Sequence, residues 1–139
     1  MRIFLDANIL FSAAKSDGAV RQLLVFLRDA GHECCVDSYV VAEARRNLAV
    51  KAPEGTVVLD SLLRRLHVAP LRAAGPKLSE GLPLPDKDKP VLAAAILHRC
   101  AILVTGDRTH FGPLYGKTIH GVKVCTPRSV AEDLLGQVK

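Results

Sequence analysis

An unbroken apolar run at 3–5 opens the chain, and Asp6 follows it directly. An apolar run without alternation is typical of a strand that is buried on both faces, as in a parallel sheet. The same layout returns at 101–107, where apolar residues lead into Thr-Gly-Asp107. Ligands of open α/β sheets bind at the carboxyl ends of the strands, so we expect both aspartates at that edge.

Strands and helices are predicted to alternate along the rest of the chain. The predicted strands are 3–5, 33–36, 67–71, 101–104 and 122–125; the predicted helices are 19–30, from Asp37 or Ser38 toward Pro53, 55–66, 90–97 and 127–135. The segment 73–85, rich in glycine and proline, is predicted as a loop that includes one helical turn. This alternation predicts one α/β domain over residues 1–139, with helices on both faces of a mainly parallel, five-stranded sheet.

Composition narrows the class of protein. The chain of 139 residues is 49% hydrophobic and 24% charged, which is typical of a globular domain, and its aromatic content of 4% weakens any role that needs bases stacked on aromatic rings. A net charge of +5 favours polyanionic partners without establishing them. The four cysteines form no Cys-x-x-Cys motif, and neither a signal segment nor a membrane span is predicted, so we expect a soluble cytoplasmic protein.

Four acidic residues stand out because of where the predicted elements place them. Each has an ordinary structural interpretation: Asp6 as a turn residue, Glu43 as a solvated residue paired with Arg46 or Asn47, Asp88 as a helix cap and Asp107 as a turn cap. Strand carboxyl ends and helix amino ends share one rim of a parallel α/β fold, however. The joint pattern therefore predicts that the four acids converge.

Converging carboxylates repel one another unless a cation lies between them. Oxygen ligands favour a hard ion, Mg²⁺ or Mn²⁺, which promotes hydrolysis of phosphodiesters. Asn8 and Thr105 are candidates for holding the carboxylates or water at such a site. The sequence therefore predicts a metal-dependent phosphodiesterase site.

The order of the motifs resembles that of the PIN-domain family over essentially the whole chain. The resemblance is carried by Phe-Leu-Asp-Ala-Asn-Ile-Leu at 4–10, Ser38-x-x-x-x-Glu43-x-x-x-x-Leu48, Asp-Lys-Asp-Lys-Pro-Val-Leu-Ala-Ala-Ala at 86–95, Val-Thr-Gly-Asp-x-x-x-Phe at 104–111 and Cys-Thr-Pro-Arg-Ser-Val at 125–130. It implies a three-layer α/β/α fold and Mg²⁺- or Mn²⁺-dependent ribonuclease activity. Small members of this kind, the VapC-like toxins, often pair with an antitoxin protein and commonly form homodimers.

The resemblance also implies roles for individual residues. Asp6 would be the central metal ligand, Glu43 and Asp88 would complete the acidic site, and Asp107 would hold the metal or its water. Asn8 and Thr105 match accessory polar positions. Asp86 competes with Asp88 for one position, and Asp88 is preferred because it lies closer to the predicted helix start.

Some side chains around these positions keep two interpretations. Arg45, Arg46, Lys87, Lys89 and Arg108 are either solvated charges or contacts to the RNA backbone. Among the histidines, His110 is the only one expected near this rim, where it is either an ordinary surface residue or a contact to substrate.

Two other classes of protein compete with the nuclease. A non-catalytic scaffold that binds RNA or a protein would have no need of four repelling carboxylates. A phosphatase with an aspartate nucleophile would have Asp-x-Asp after the first strand, but Asn8 stands in the second position, and a receiver domain would want paired acids near the first strand and a lysine after the last. The residues alone leave RNA and DNA both open as substrates.

Overall fold

The computed structural model describes residues 1–72 and 75–135, and these form an α/β fold around one six-stranded sheet. Its strands are β1 Arg2–Leu5, β2 Glu33–Asp37, β3 His67–Ala69, β4 Ile102–Val104, β5 Thr118–Ile119 and β6 Val122–Cys125. The strand order is β3-β2-β1-β4-β6-β5, and only the pair β5 and β6 is antiparallel within these ranges. The prediction of a mainly parallel central sheet is confirmed.

The prediction of five strands was wrong by one. Thr118–Ile119 pairs with β6 across a tight turn at His120 and Gly121, whose φ angles are 47° and 85°. Positive φ at both central residues is the geometry that matches the twist of a two-residue hairpin. A strand of two residues is too short to give a hydrophobic period, which is why the pattern did not reveal it.

Helices fill the connections between the parallel strands. They are α1 Ala7–Lys15, α2 Ala19–Asp29, α3 Ser38–Lys51, α4 Gly55–Leu63, α5 Pro76–Gly81, α6 Lys89–Leu97 and α7 Pro127–Val130, with a short 3₁₀ turn at Gly112–Leu114 and a π-helical turn at Ala131–Leu135. The predicted end of the last helix at Gly136 lies outside the described residues, as do residues 73 and 74 of the predicted loop. None of the helices in the described ranges combines the length and apolarity that a bilayer crossing needs.

Helix α1 had no predicted counterpart, although it begins at the key acid. Asp6 is its N-cap residue, and Ile9, Leu10, Ala13 and Ala14 are buried along it. This spacing is that of one face of a helix. The run 3–14 is apolar almost throughout, so the change from strand to helix at Asp6 was hidden in it.

Predicted helix starts hold better than predicted helix ends. The Asp37 carboxylate accepts the Val40 amide at 3.2 Å and caps α3, and Thr126 forms a capping box with Ser129 at the start of α7. By contrast, α4 ends at Leu63 rather than 66 and β3 ends at Ala69 rather than 71. Starts carry side-chain caps that the sequence displays, whereas these two ends do not.

The chain reverses its direction of travel across the sheet at β1. Strands β2 and β3 are added on one side of β1, and β4 and β6 on the other. Ile3, Phe4 and Leu5 in β1 are fully buried because the strand is covered on both faces. Such a reversal leaves a crevice at the carboxyl ends of the two central strands, here β1 and β4.

Candidate active site

Asp6 lies in that crevice, at the junction of β1 and α1. Its Oδ1 accepts the Ala7 amide at 2.7 Å, and its Oδ2 accepts the Thr105 hydroxyl at 2.8 Å and the Asn8 amide nitrogen at 3.2 Å. Only 5% of the residue is exposed. The carboxylate is therefore held in a fixed orientation by three donors.

Thr105 joins the ends of β1 and β4. Besides donating to Asp6, its Oγ1 accepts from Asn8 Nδ2 and from the Asp107 amide, both at 3.2 Å. Asn8 in turn accepts the Gly106 amide at 2.8 Å. The two accessory positions of the sequence analysis thus form a hydrogen-bonded link from Asp6 to the backbone of Asp107.

The two carboxylate oxygens of Asp107 have different surroundings. Oδ1 accepts the amides of Thr109 at 2.9 Å and His110 at 3.1 Å, so the predicted turn cap is present. The Tyr115 hydroxyl fixes the same loop from below, since it donates to the carbonyls of Thr105 and Asp107 at 3.2 Å and 2.9 Å. Oδ2 of Asp107 lies 3.3 Å from Nδ1 of His110 instead.

Asp88 precedes α6 but does not cap it with its side chain. The structure gives it no side-chain cap bond; instead, its Oδ2 lies 2.7 Å from Nδ1 of His110, which is 3.3 Å from Oδ2 of Asp107. The cap interpretation of this side chain was therefore wrong. Tyr39 holds the preceding residue by donating to the Lys87 carbonyl at 2.7 Å.

Asp86 lies apart from this group. Its side chain is 99% exposed and pairs with Lys89 at 3.2 Å. The two candidates before α6 therefore differ in environment: Asp88 faces Asp107 and His110, whereas Asp86 faces solvent.

Glu43 approaches Asp6 from α3. The predicted pairing of Glu43 with Arg46 or Asn47 is absent from the described ion pairs and hydrogen bonds, where Glu43 has no partner. Burial is the main cause of the raised pKa of Asp6 and of Tyr39, which lies one turn before Glu43 on α3, and the negative charge of Glu43 raises both values further. Glu43 is thus near enough to Asp6 to influence its ionisation.

The electrostatics of Asp6 reflect this crowding. Burial raises the pKa of its carboxyl to about 6, and the charges of Glu43 and Asp88 add to the effect. Hydrogen bonds from Thr105 and Ala7 act in the opposite direction but do not cancel it. A carboxyl in this position is costly to ionise unless a positive charge lies beside it.

The donor set fits a divalent cation. Asp88, Asp107 and His110 each offer one ligand atom within 4.8 Å of the others. Nδ1 of His110 and Oδ2 of Asp88 are buried and have no aligned hydrogen-bond partner, despite the short distance between them. Two such atoms, facing a third ligand, are an arrangement that a metal ion would satisfy.

Sequence reasoning placed His110 near this rim because it follows soon after Asp107, but only as a surface residue or a contact to substrate, not as a metal ligand. Tyr39 and Tyr115 were not assigned to the site. Phe111, which directly follows His110, is fully buried and anchors the loop. The tyrosines act through backbone carbonyls, and no motif of side-chain types reveals such contacts.

Positive side chains flank the acids. The charges of Arg46 and Arg108 lower the pKa of Tyr39 and Tyr115 respectively, against the dominant effect of burial, so both lie near the crevice. Arg45 is paired with Asp60 at 2.6 Å instead. Arg46 and Arg108 are therefore better situated than Arg45 to meet a phosphate chain.

A separate cavity of about 250 Å³ lies at the amino edge of the sheet. Its lining includes Leu24, Arg28, Leu62 and Arg65, and its one carboxylate, Glu33, forms an ion pair with Arg2 at 3.3 Å. It therefore lacks a cluster of acids. The acids lie instead at the carboxyl edge of the sheet.

Comparison with known proteins identifies the family. Residues 2–109 match the sequence profile of the PIN domain, and the chain therefore belongs to the PIN-domain family, as the motifs predicted. No curated protein matches the chain in sequence.

Solved structures share the fold at low sequence identity. A chain of VapBC2 from Rickettsia felis, bound to a DNA fragment from its promoter, is 21% identical with a TM-score of 0.67, over 91% of this chain and 98% of that one. A chain of a toxin–antitoxin complex from Klebsiella pneumoniae is 21% identical with a TM-score of 0.64, over 90% of this chain and 97% of that one. VapC20 from Mycobacterium tuberculosis, a toxin that cleaves the sarcin–ricin loop, is 12% identical with a TM-score of 0.56, over 77% of this chain and 91% of that one.

Proposed function

We propose that this protein is a divalent-metal-dependent endoribonuclease, with Asp6, Glu43, Asp88 and Asp107 as the acids of its metal centre. One observation carries the proposal: in a PIN fold, the buried and pre-oriented Asp6 lies at the crevice between β1 and β4, and the charges of two further acids act on it. The ion expected there is Mg²⁺ or Mn²⁺.

The side chains have distinct parts in this proposal. Asp6 would hold the ion with a carboxylate that is already oriented by Ala7 and Thr105, which limits the reorganisation that binding requires. Asp107 would offer Oδ2, because Oδ1 is occupied by backbone amides. When bound, the ion would polarise the scissile phosphate and lower the pKa of the attacking water.

RNA would be held mainly through its backbone. Arg46 and Arg108 lie near the crevice, and a basic chain of net charge +5 attracts a polyanion. Contacts of this kind position a strand without reading its sequence. The proposal therefore assigns sequence preference to the shape of the target rather than to these arginines.

The biological role we propose is that of a toxin with a cognate antitoxin. The support comes from the structural relatives, which include a toxin–antitoxin complex and a toxin that cleaves the sarcin–ricin loop. The proposal includes a homodimer and a cytoplasmic location, where RNA is available. Four free, buried cysteines are compatible with that reducing compartment.

The test of the nuclease is RNA cleavage by wild type and Asp6→Asn, with and without Mg²⁺, Mn²⁺ and EDTA. Asp29→Asn is the matched control, because Asp29 is exposed at the end of α2. We expect Asp6→Asn to lose at least about a hundredfold in rate, or about 2.7 kcal/mol of transition-state stabilisation, with Asp29→Asn unchanged. Equal cleavage by wild type and Asp6→Asn, or cleavage that survives EDTA, would refute the proposal.

Substrate and toxicity need separate arms. Single-stranded RNA, structured RNA and single-stranded DNA of equal length distinguish a ribonuclease from a general nuclease. Expression in the host should arrest growth with wild type and not with Asp6→Asn, and co-expression of a small neighbouring gene should relieve the arrest. Light scattering should give twice the chain mass of 15.0 kDa.

A further inference from the structure

Within the described residues, His110 is the one nitrogen ligand grouped with Asp88 and Asp107. Its Nδ1 lies 2.7 Å from Oδ2 of Asp88 and 3.3 Å from Oδ2 of Asp107. All three side chains are only partly exposed, and their ligand atoms lie within 4.8 Å of one another. The set is therefore a mixture of oxygen and nitrogen, whereas sequence reasoning considered oxygen alone.

The imidazole is held in place by its own loop. The His110 amide donates to Oδ1 of Asp107 at 3.1 Å, which closes the turn and brings both side chains to the same side. Phe111 is fully buried and anchors the chain directly after it. The His110 ring faces both Asp88 and Asp107 from this loop.

The contact with Asp88 is close but misdirected for a hydrogen bond. Nδ1 of His110 and Oδ2 of Asp88 are both buried, yet neither has an aligned partner in the described structure. Two atoms that are close without pointing at each other are free to point at a common third atom. A ligand pair around a metal ion has this relation.

We propose that Nδ1 of His110 is a ligand of the divalent ion, together with Asp88 and Asp107, and that it biases the centre toward Mn²⁺ over Mg²⁺. The inference rests on the proposed metal centre and deepens it. Mg²⁺ prefers oxygen ligands and gives up its water reluctantly. Mn²⁺ shares the preference for carboxylates, but as a first-row transition ion it accepts a nitrogen ligand more readily than Mg²⁺ does. A centre with one nitrogen ligand therefore gains affinity for Mn²⁺ that a purely carboxylate centre lacks.

An opposite role for the same geometry has the opposite consequence. If the imidazole stood in for the missing cation between the carboxylates, an incoming ion would have to displace it. Removing the ring would then strengthen metal binding, whereas removing a ligand weakens it. The sign of the change decides between the two.

The experiment is calorimetric titration of metal-free protein with MnCl₂ and with MgCl₂, for wild type, His110→Gln and the control His67→Gln. His67 is exposed at the start of β3, on the other edge of the sheet. We expect His110→Gln to lose at least about tenfold in Mn²⁺ affinity and less in Mg²⁺ affinity, with His67→Gln equal to wild type. Unchanged or tighter Mn²⁺ binding by His110→Gln would overturn the inference.

A spectroscopic readout needs no variant and no RNA. Pulsed electron paramagnetic resonance of the wild-type Mn²⁺ complex should show coupling to an imidazole nitrogen, and absence of that coupling would also overturn the inference. Metal-dependent RNA cleavage without nitrogen coupling would support the proposed nuclease activity and refute the role of His110 as a metal ligand. Nitrogen coupling without cleavage would support His110 as a ligand and refute the nuclease activity. If neither Mn²⁺ nor Mg²⁺ bound, both proposals would be refuted.

Discussion

The Thr105 hydroxyl donates a 2.8 Å hydrogen bond to Oδ2 of Asp6 and thereby joins two strand ends that are 99 positions apart in the chain. Thr105 is fully buried, and Asp6 nearly so. The Thr105 hydroxyl oxygen also accepts a hydrogen bond from the Asp107 amide, so one hydroxyl orients two of the acids. The spacing of the site therefore depends on a small neutral side chain as well as on the acids themselves.

Thr105→Val tests this dependence, because valine keeps the shape and removes the hydroxyl. We expect a loss of about 1–3 kcal/mol in the free energy of unfolding, since the Asp107 amide and one Asp6 oxygen lose a partner. RNA cleavage should fall by roughly tenfold or more, as for other groups that orient metal ligands. Chemical denaturation and cleavage rates measure the two effects.

Thr105→Ser is the matched control, as it keeps the hydroxyl and removes only a methyl group. It should retain most of the activity that the valine variant loses. A valine variant with the activity of wild type would show that the hydroxyl has no part in orienting the acids.

Asp88→Asn and Asp86→Asn form a second matched pair. Both remove one negative charge from the same loop, but Asp88 faces His110 and Asp107 whereas Asp86 is exposed. We expect Asp88→Asn to lose at least about tenfold in RNA cleavage and in Mn²⁺ affinity, and Asp86→Asn to lose neither. Equal losses in the two variants would mean that overall charge matters rather than position.

Much of the candidate site could be predicted because it follows from topology. A parallel sheet brings its strand ends to one edge, so the residues directly after two apolar runs had to come near each other. The positions of Asp6, Thr105 and Asp107 at one edge were therefore predictable without side-chain geometry. The central sheet was predictable as well, because runs of buried apolar residues alternate with helical segments.

The rest could not be predicted, because it depends on contacts that a pattern does not encode. The direction of the Asp88 side chain, away from its helix, follows from the loop that Tyr39 holds through the Lys87 carbonyl. His110 enters the site through a three-residue turn around Asp107. Helix α1 was missed because its apolar face continues the apolar run of β1.

The pKa of Asp6 gives the metal-free protein a pH-dependent stability. Burial, chiefly, raises this pKa from 3.8 to about 6 in the folded state. Below pH 3.8 the Asp6 carboxyl is protonated in both the folded and the unfolded protein, and its contribution to the stability of the folded state is fully present. As pH rises through the window between the two values, the unfolded state ionises more readily, so stability is lost, by about 3 kcal/mol at most once pH exceeds the folded pKa.

Asp6→Asn removes that titration and isolates it. The difference in unfolding free energy, variant minus wild type, should increase by about 2 kcal/mol between about pH 4.5 and about pH 8, measured by denaturation in EDTA. The pKa of Asp37 is also raised by burial, but Asp37 is present in both proteins and cancels in the difference. A difference that does not vary with pH would contradict this account of Asp6.

Gly55 tests the packing that supports the site from α1. A Cβ at this position would lie 2.8 Å from Cδ2 of the fully buried Leu48 and 3.1 Å from the Ala14 carbonyl oxygen, so the Leu48 side chain and the α1–α4 contact at Ala14 would have to adjust. We expect Gly55→Ala to lose about 1–3 kcal/mol in unfolding free energy, as other overpacked cores do. Gly81→Ala is the control, because nothing lies within 4 Å of its added Cβ. Denaturation should show Gly81→Ala close to wild type. A Gly55→Ala protein as stable as wild type would mean that Leu48 and α1 accommodate the added methyl group without loss of stability.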